Sequence, residues 1–142
     1  MNQGDIAVVE FISASTAGIV YAELGFIPDF AILIQDHGGT NPNIRIWARG
    51  GTGKTFPLWP AALGLLITGS TGVITRDTAS IAEYAGGDTI ASAETANTDG
   101  KHVTRDGAPG VAGHITAPGV SIPAAEQTNS GRNLLLAWRY DL

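Results

Sequence analysis

The apolar residues of this chain come in short runs of five to eight, each closed by Gly, Pro, Asn or Asp, and that spacing limits what it can fold into. A helix needs apolar residues at i, i+3, i+4 and i+7 sustained over several turns, whereas a strand needs only a few residues and a turn at each end. No segment carries the helical period with caps at both ends. Ala61-Ala62-Leu63-Gly64-Leu65-Leu66 suffices for one turn, and Gly64 weakens even that. With 19 glycines and 7 prolines in 142 residues, turns are plentiful. The expected fold class is therefore all-β, a single antiparallel β-sandwich or jelly-roll-like domain over residues 1–142.

Ile6–Ser13 and Gly18–Leu24 read as antiparallel neighbours joined across Ala14-Ser15-Thr16-Ala17. Phe30–Gln35 is a continuous apolar run, the pattern of a strand covered on both faces. In the next strand Ile44, Ile46 and Ala48 alternate with Arg45, Trp47 and Arg49, so an Ile-Ile-Ala face turns to the core and an Arg-Trp-Arg face turns away. The turn His37–Asn43 joins these two. Further strands fit Gly64–Thr68, Gly72–Thr75, Ala79–Tyr84, Val111–Thr116 and Asn133–Tyr140. Residues 86–110 hold few large aliphatics and read as a long loop or arm, a length that usually signals function or a partner. Met1-Asn2-Gln3-Gly4-Asp5 precedes the first strand and reads as a flexible N-terminal arm.

Charged side chains make up 15% of the chain, against about a quarter in a typical domain. Low charge favours association. The net charge of −5 with scattered Arg and Lys argues against a nucleic-acid partner. Cysteine is absent, which removes disulfides and thiolate metal sites. No apolar stretch reaches the ~18 residues of a helical membrane span. The N-terminus lacks the basic start of a signal peptide, so a soluble protein without a membrane partner is expected.

Ala48-Arg49-Gly50-Gly51-Thr52-Gly53-Lys54-Thr55 fits a permissive phosphate-loop pattern. A working phosphate loop runs into a helix whose free N–H groups hold the phosphates. Pro57 and Pro60 oppose that helix, and no later strand supplies the acidic residue for magnesium. The segment reads as a glycine-rich turn, and no nucleotide or other cofactor is expected. His37 beside Asp36 lies in a Gly-Gly turn, and His102 and His114 match no metal-ligand spacing, so no metal site is expected. Asp99-Gly100 and Asp106-Gly107 lack the alternating ligands of a calcium loop. No serine lies on a Gly-x-Ser-x-Gly elbow, and no catalytic residue is assigned. Trp47, Phe56 and Trp59, with Arg45 and Arg49, form a candidate aromatic and cationic interface, since such residues concentrate at interface centres; the alternative is that the tryptophans are core, the usual place of Trp in a small β domain.

Leu24-Gly25-Phe26-Ile27-Pro28-Asp29-Phe30-Ala31-Ile32-Leu33-Ile34 resembles the Gly-Phe-x-Pro-Asp-hydrophobic element of tailed-bacteriophage virion proteins. Asn133-Leu134-Leu135-Leu136-Ala137-Trp138-Arg139-Tyr140 is similar to their closing strand. Among such proteins a small single-domain chain is most like a capsid decoration, or cement, protein. The resemblance implies a structural protein, not an enzyme, that binds the outside of a phage capsid and bridges subunits of the major capsid protein. It implies self-association, as a homotrimer first and a dimer second, and a place on the virion surface after synthesis in the host cytoplasm. The candidate shell or subunit contacts are then Met1–Asp5 and the Arg45, Trp47, Arg49, Phe56, Trp59 group. The alternative is a tail- or fibre-associated receptor- or glycan-binding module, with Trp47 or Trp59 stacking on a sugar.

Overall fold

The computed structural model describes residues 5–12, 18–36, 41–77, 80–94, 101–123 and 131–140. Its strands are β1 (Ile6–Ile12), β2 (Val20–Glu23), β3 (Phe30–Asp36), β4 (Asn43–Ala48), β5 (Gly64–Ile67), β6 (Ile74–Asp77), β7 (Ala82–Tyr84), β8 (Lys101–Val103), β9 (Gly119–Ile122) and β10 (Arg132–Trp138). One sheet has six strands in the order β1-β10-β3-β4-β5-β6, and the other has four in the order β7-β9-β2-β8. There is no helix among the described residues. The protein is an all-β sandwich, as the run lengths require.

Side-chain alternation builds the interior. Ala7, Val9 and Phe11 of β1, Ala31 and Leu33 of β3, and Leu135 and Ala137 of β10 point to one side of the six-stranded sheet. They meet Val20 and Ala22 of β2, Val103 of β8, and Val120 and Ile122 of β9 in one apolar cluster. Antiparallel pairing holds throughout except between β2 and β8, which run parallel.

β1 and β2 are not the neighbours that their closeness in sequence suggests. β1 pairs along its full length with β10, from Ile6↔Trp138 to Ile12↔Arg132, and β2 belongs to the other sheet. A seven-position register with matching alternation outweighs a short connection to a four-residue strand. The expected link over residues 14–17 lies outside the described residues. Val111–Thr116 makes only the single bridge Thr89↔Ile115. Val111 and Ile115 stand exposed there, and Gly113 adopts a φ of 83°. β9 fills the place instead, with Val120 and Ile122 fully buried. Gly119 lets β9 reach β2, because a Cβ there would lie 1.8 Å from the Ala22 carbonyl oxygen.

The chain crosses from the four-stranded to the six-stranded sheet at Gly25–Asp29. Gly25 takes a φ of 84°, open to glycine at little cost. Leu24 and Gly25 both donate their N–H to the Pro118 carbonyl at 2.9 Å. Phe26, Pro28 and Asp29 are buried, so β3 starts from a fixed corner.

Candidate functional site: the outer face of the six-stranded sheet

Pairing register decides which residues share a face, because directly opposed residues point the same way. On the side turned away from the core, Ile6, Trp138, Phe30 and Ala48 form one row across β1, β10, β3 and β4. Val8, Leu136, Ile32, Ile46 and Leu65 form the next, ending in Arg76 on β6. Glu10 leads the third, followed by Leu134, Ile34, Ile44, Ile67 and Ile74. Ile12, Arg132 and Asp36 close the end. Ile6, Val8, Ile12 and Ile74 at the margins are 56–64% exposed. The central side chains are half-buried by one another. An aliphatic surface thus runs across all six strands, with charge confined to its margins.

This is the reverse of the expected orientation of β4. Ile44, Ile46 and Ala48 face outward, while Trp47 is 2% exposed in the core. Arg45 points inward too. Its Nε donates to Gln35 Oε1 at 2.8 Å and its Nη1 to Asp77 Oδ2 at 3.0 Å, so its charge is paired inside the sheet edge. Gln35 in turn donates to Asn133 Oδ1 at 3.4 Å, which links β4 and β6 to β10. Three aliphatic neighbours on the outside and one indole inside are the arrangement that fits both sheets together, and alternation alone does not say which row is in. The Arg-Trp-Arg surface proposed from the sequence therefore does not exist on the isolated chain. The continuous run Phe30–Gln35 has one covered face and one half-open face.

The other sequence candidates are spread out. Arg49, just past β4, donates to Glu83 Oε1 at 2.5 Å and lies 3.8 Å from Asp29 Oδ1. Phe56 meets the Tyr140 ring edge-on, with centroids 6.5 Å apart. Trp59 is half-buried, and its indole N–H donates to the Leu63 carbonyl at 3.0 Å. Met1–Gly4 lie outside the described residues, and so does His37. Asp5 belongs to the body rather than to an arm: its carboxylate pairs with Arg139, and its carbonyl accepts the Arg139 N–H at 2.8 Å.

The glycine-rich segment makes turns, and Phe56–Trp59 continues as a turn. Three of its backbone donors are taken: Gly51 N–H by Trp59 O, Lys54 N–H by Gly51 O and Phe56 N–H by Arg49 O. Lys54 Nζ lies 3.2 Å from Glu83 Oε2. Partial burial pushes the Glu83 carboxyl up, but hydrogen bonds from Arg49 and Lys54 and their charge outweigh it and hold it below its ordinary value. A shallow depression of about 180 Å³ lies here between Trp47, Arg49, Lys54 and Glu83.

A polar cluster lies behind the four-stranded sheet. Tyr84 Oη donates to Asp88 Oδ2 at 2.6 Å and sits 2.7 Å from Thr116 Oγ1 and 3.4 Å from His102 Nε2. Glu94 Oε2 accepts the His102 backbone N–H at 2.6 Å, and its Oε1 lies 3.1 Å from Nδ1. The Tyr21 ring packs on both Tyr84 and His102. Burial, then the hydrogen bond to Asp88, push the Tyr84 hydroxyl up to about 12. It keeps its proton at neutral pH and serves as a donor that ties the long loop to the sheet, not as a nucleophile. The described parts of residues 86–110 are pinned in the same way, by Gly87 N–H to Thr116 O, Ile90 N–H to His114 O, Glu94 N–H to Gly110 O and Gly110 N–H to His102 O. Among the described residues no group of three or more His, Asp or Glu side chains is set to hold a metal ion.

The stretches Leu24–Ile34 and Asn133–Tyr140 come together at one corner. Asp29 donates its N–H to the Trp138 carbonyl at 3.0 Å. Its carboxylate accepts the Tyr140 N–H at 2.8 Å and the Thr55 hydroxyl. Phe30 packs on Trp138 at 4.8 Å, and the Arg139 guanidinium lies over the Phe26 ring at 5.6 Å. The sequence signal for the outer face was present in Phe30–Ile34 and Leu134–Trp138, where both rows of the alternation are apolar. No protein-family model, curated protein or solved structure matches this chain.

Proposed function

We propose that this chain is a structural virion protein that works by assembly, binding the outside of a tailed-phage capsid and bridging its subunits. The observation that carries the reading is the apolar outer face of the six-stranded sheet. An exposed apolar surface of this extent is rare on a protein that acts alone and marks a chain made for assembly, with further copies of itself as well as with a shell. The virion setting is supported by the likeness of Gly25–Asp29 and of the closing strand to phage elements, which here clamp one another. The action is mechanical. A protein that binds only the closed shell raises the free energy of disassembly by linkage. Many weak contacts, each to shell and to neighbouring copies, add through avidity.

Tail adhesion has less support. Trp47 is in the core and has no face to offer a sugar, and the Trp59 indole N–H is already bonded within the chain. Co-sedimentation of the purified protein with capsids lacking their decoration protein tests the reading. Stoichiometric uptake and raised heat tolerance of the particles are expected, with weaker uptake after removal of Met1–Gly4. Particles that sediment without the protein, together with glycan-array binding, would turn the assignment to adhesion.

A further inference from the structure

The outer face has the size and the charge layout to be covered by its own copy. Five inter-strand steps of about 4.8 Å and three to six residue steps of about 3.3 Å, long at β1, β10 and β3 and short at β5 and β6, make it roughly 24 Å wide and 10–20 Å long, on the order of 400 Å² in projection before side-chain relief is added. That is about half of the ~800 Å² which each partner contributes to a standard interface, and side-chain relief adds to it. Sheets with apolar faces stack about 10 Å apart, and the inner face of this sheet already packs against the four-stranded sheet. Six strands on one side call for a partner of equal width, and a second copy has it.

The rims supply a direction. Glu10 lies on β1 at one edge of the face and Arg76 on β6 at the other. Both are exposed, and neither has an ion-pair partner among the described residues. The remaining charges on the face, Arg132 and Asp36, pair with each other at 2.6 Å. Any rotation axis along the strands brings the β1 rim of one copy to the β6 rim of the next. Glu10 is in register with Ile74, and Arg76 lies two residues on, an offset of about 7 Å that two long side chains span. Opposite charges at rims that meet set orientation more than affinity.

We propose that copies of this chain bury the outer faces of their six-stranded sheets against one another around a rotation axis along the strands, with Glu10 of one copy meeting Arg76 of the next. A two-fold stack and a three-fold prism both satisfy this geometry. The inference rests on the assembly reading only for the claim that the face is covered. Its test needs no capsid, so its failure and a failure of shell binding are separate results.

Sedimentation equilibrium of the full chain from about 1 to 100 μM is expected to give a closed dimer or trimer. Ile32→Glu, in the middle of the face, is expected to give a monomer with its strand circular dichroism intact. If Ile32→Glu does not fold, Val8→Glu at the open margin carries the same expectation. Glu10→Arg is expected to weaken association about tenfold or more, and adding Arg76→Glu to restore it. An unaltered chain that stays monomeric over that range, a folded Ile32→Glu or Val8→Glu protein with unchanged mass, or a double reversal no tighter than Glu10→Arg would each overturn the proposal.

Discussion

The Tyr84 hydroxyl, held between Asp88 and Thr116, has a folded-state pKa pushed up from 10.0 to about 12, first by burial and then by the Asp88 hydrogen bond. A raised pKa means that the native state holds this proton more tightly than the unfolded chain does. The stabilisation is whole below pH 10 and is lost as pH rises toward 12. Urea midpoints compared at about pH 8.5 and pH 11.5 are expected to fall further in the unaltered protein than in Tyr84→Phe. Equal falls in the two proteins would show that Tyr84 does not carry the alkaline transition. Residue chemistry of this kind is invisible in sequence, because Tyr84, Asp88, His102 and Thr116 are brought together by the pairing of β7 with β9 and of β2 with both β9 and β8. Single residues also show where alternation misleads. Arg45 looks like a surface cation by type, yet Gln35 on the neighbouring β3 and Asp77 on β6, beyond β5, give its guanidinium a bonded place inside.

Among elements, the Gly25–Asp29 corner is the best-determined piece of local structure. Gly25 supplies the positive φ, Pro28 is buried at the strand entry, and the Asp29 carboxylate receives Thr55 and Tyr140. Asp29→Ala removes both acceptors from a site that is 3% exposed and leaves the Tyr140 N–H unpaired. The expected loss in denaturant unfolding is about 1–3 kcal/mol, with Asp29→Asn losing less because one acceptor oxygen remains. A change within a few tenths of a kcal/mol would show that the corner holds without its carboxylate. The strands themselves were legible where they carry alternation or apolar runs between turn residues: β1 to β7 and β10, with β6 and β7 placed only approximately. β8 and β9 were not. They are three and four residues long, and their membership is decided by β2, which accepts Lys101–Val103 on one side and Gly119–Ile122 on the other.

At the scale of the whole molecule, the proposed burial of outer faces between copies would couple stability to concentration. An oligomer that buries Ile32, Ile34, Leu134 and Leu136 shifts the unfolding equilibrium by mass action, so the thermal midpoint is expected to rise with protein concentration. The slope should vanish in Ile32→Glu. A midpoint independent of concentration over a hundredfold range would mean that the face stays open through unfolding.

The run lengths by themselves determined an all-β chain, because no apolar segment has the period or the caps that a helix needs, and the two prolines after Thr55 ruled the helix of a phosphate loop out of the same stretch. Tertiary structure alone decided which row of β4 is core. Both rows are chemically acceptable inside: Ile44 and Ile46 because they are apolar, Arg45 and Trp47 because Gln35, Asp77 and the sandwich interior receive them. The choice between them depends on partners far along the chain that no period of two encodes. The outer face follows from that choice, since placing Trp47 inside leaves the isoleucines of β3 and β4 and the leucines of β10 on a surface that the four-stranded sheet does not reach.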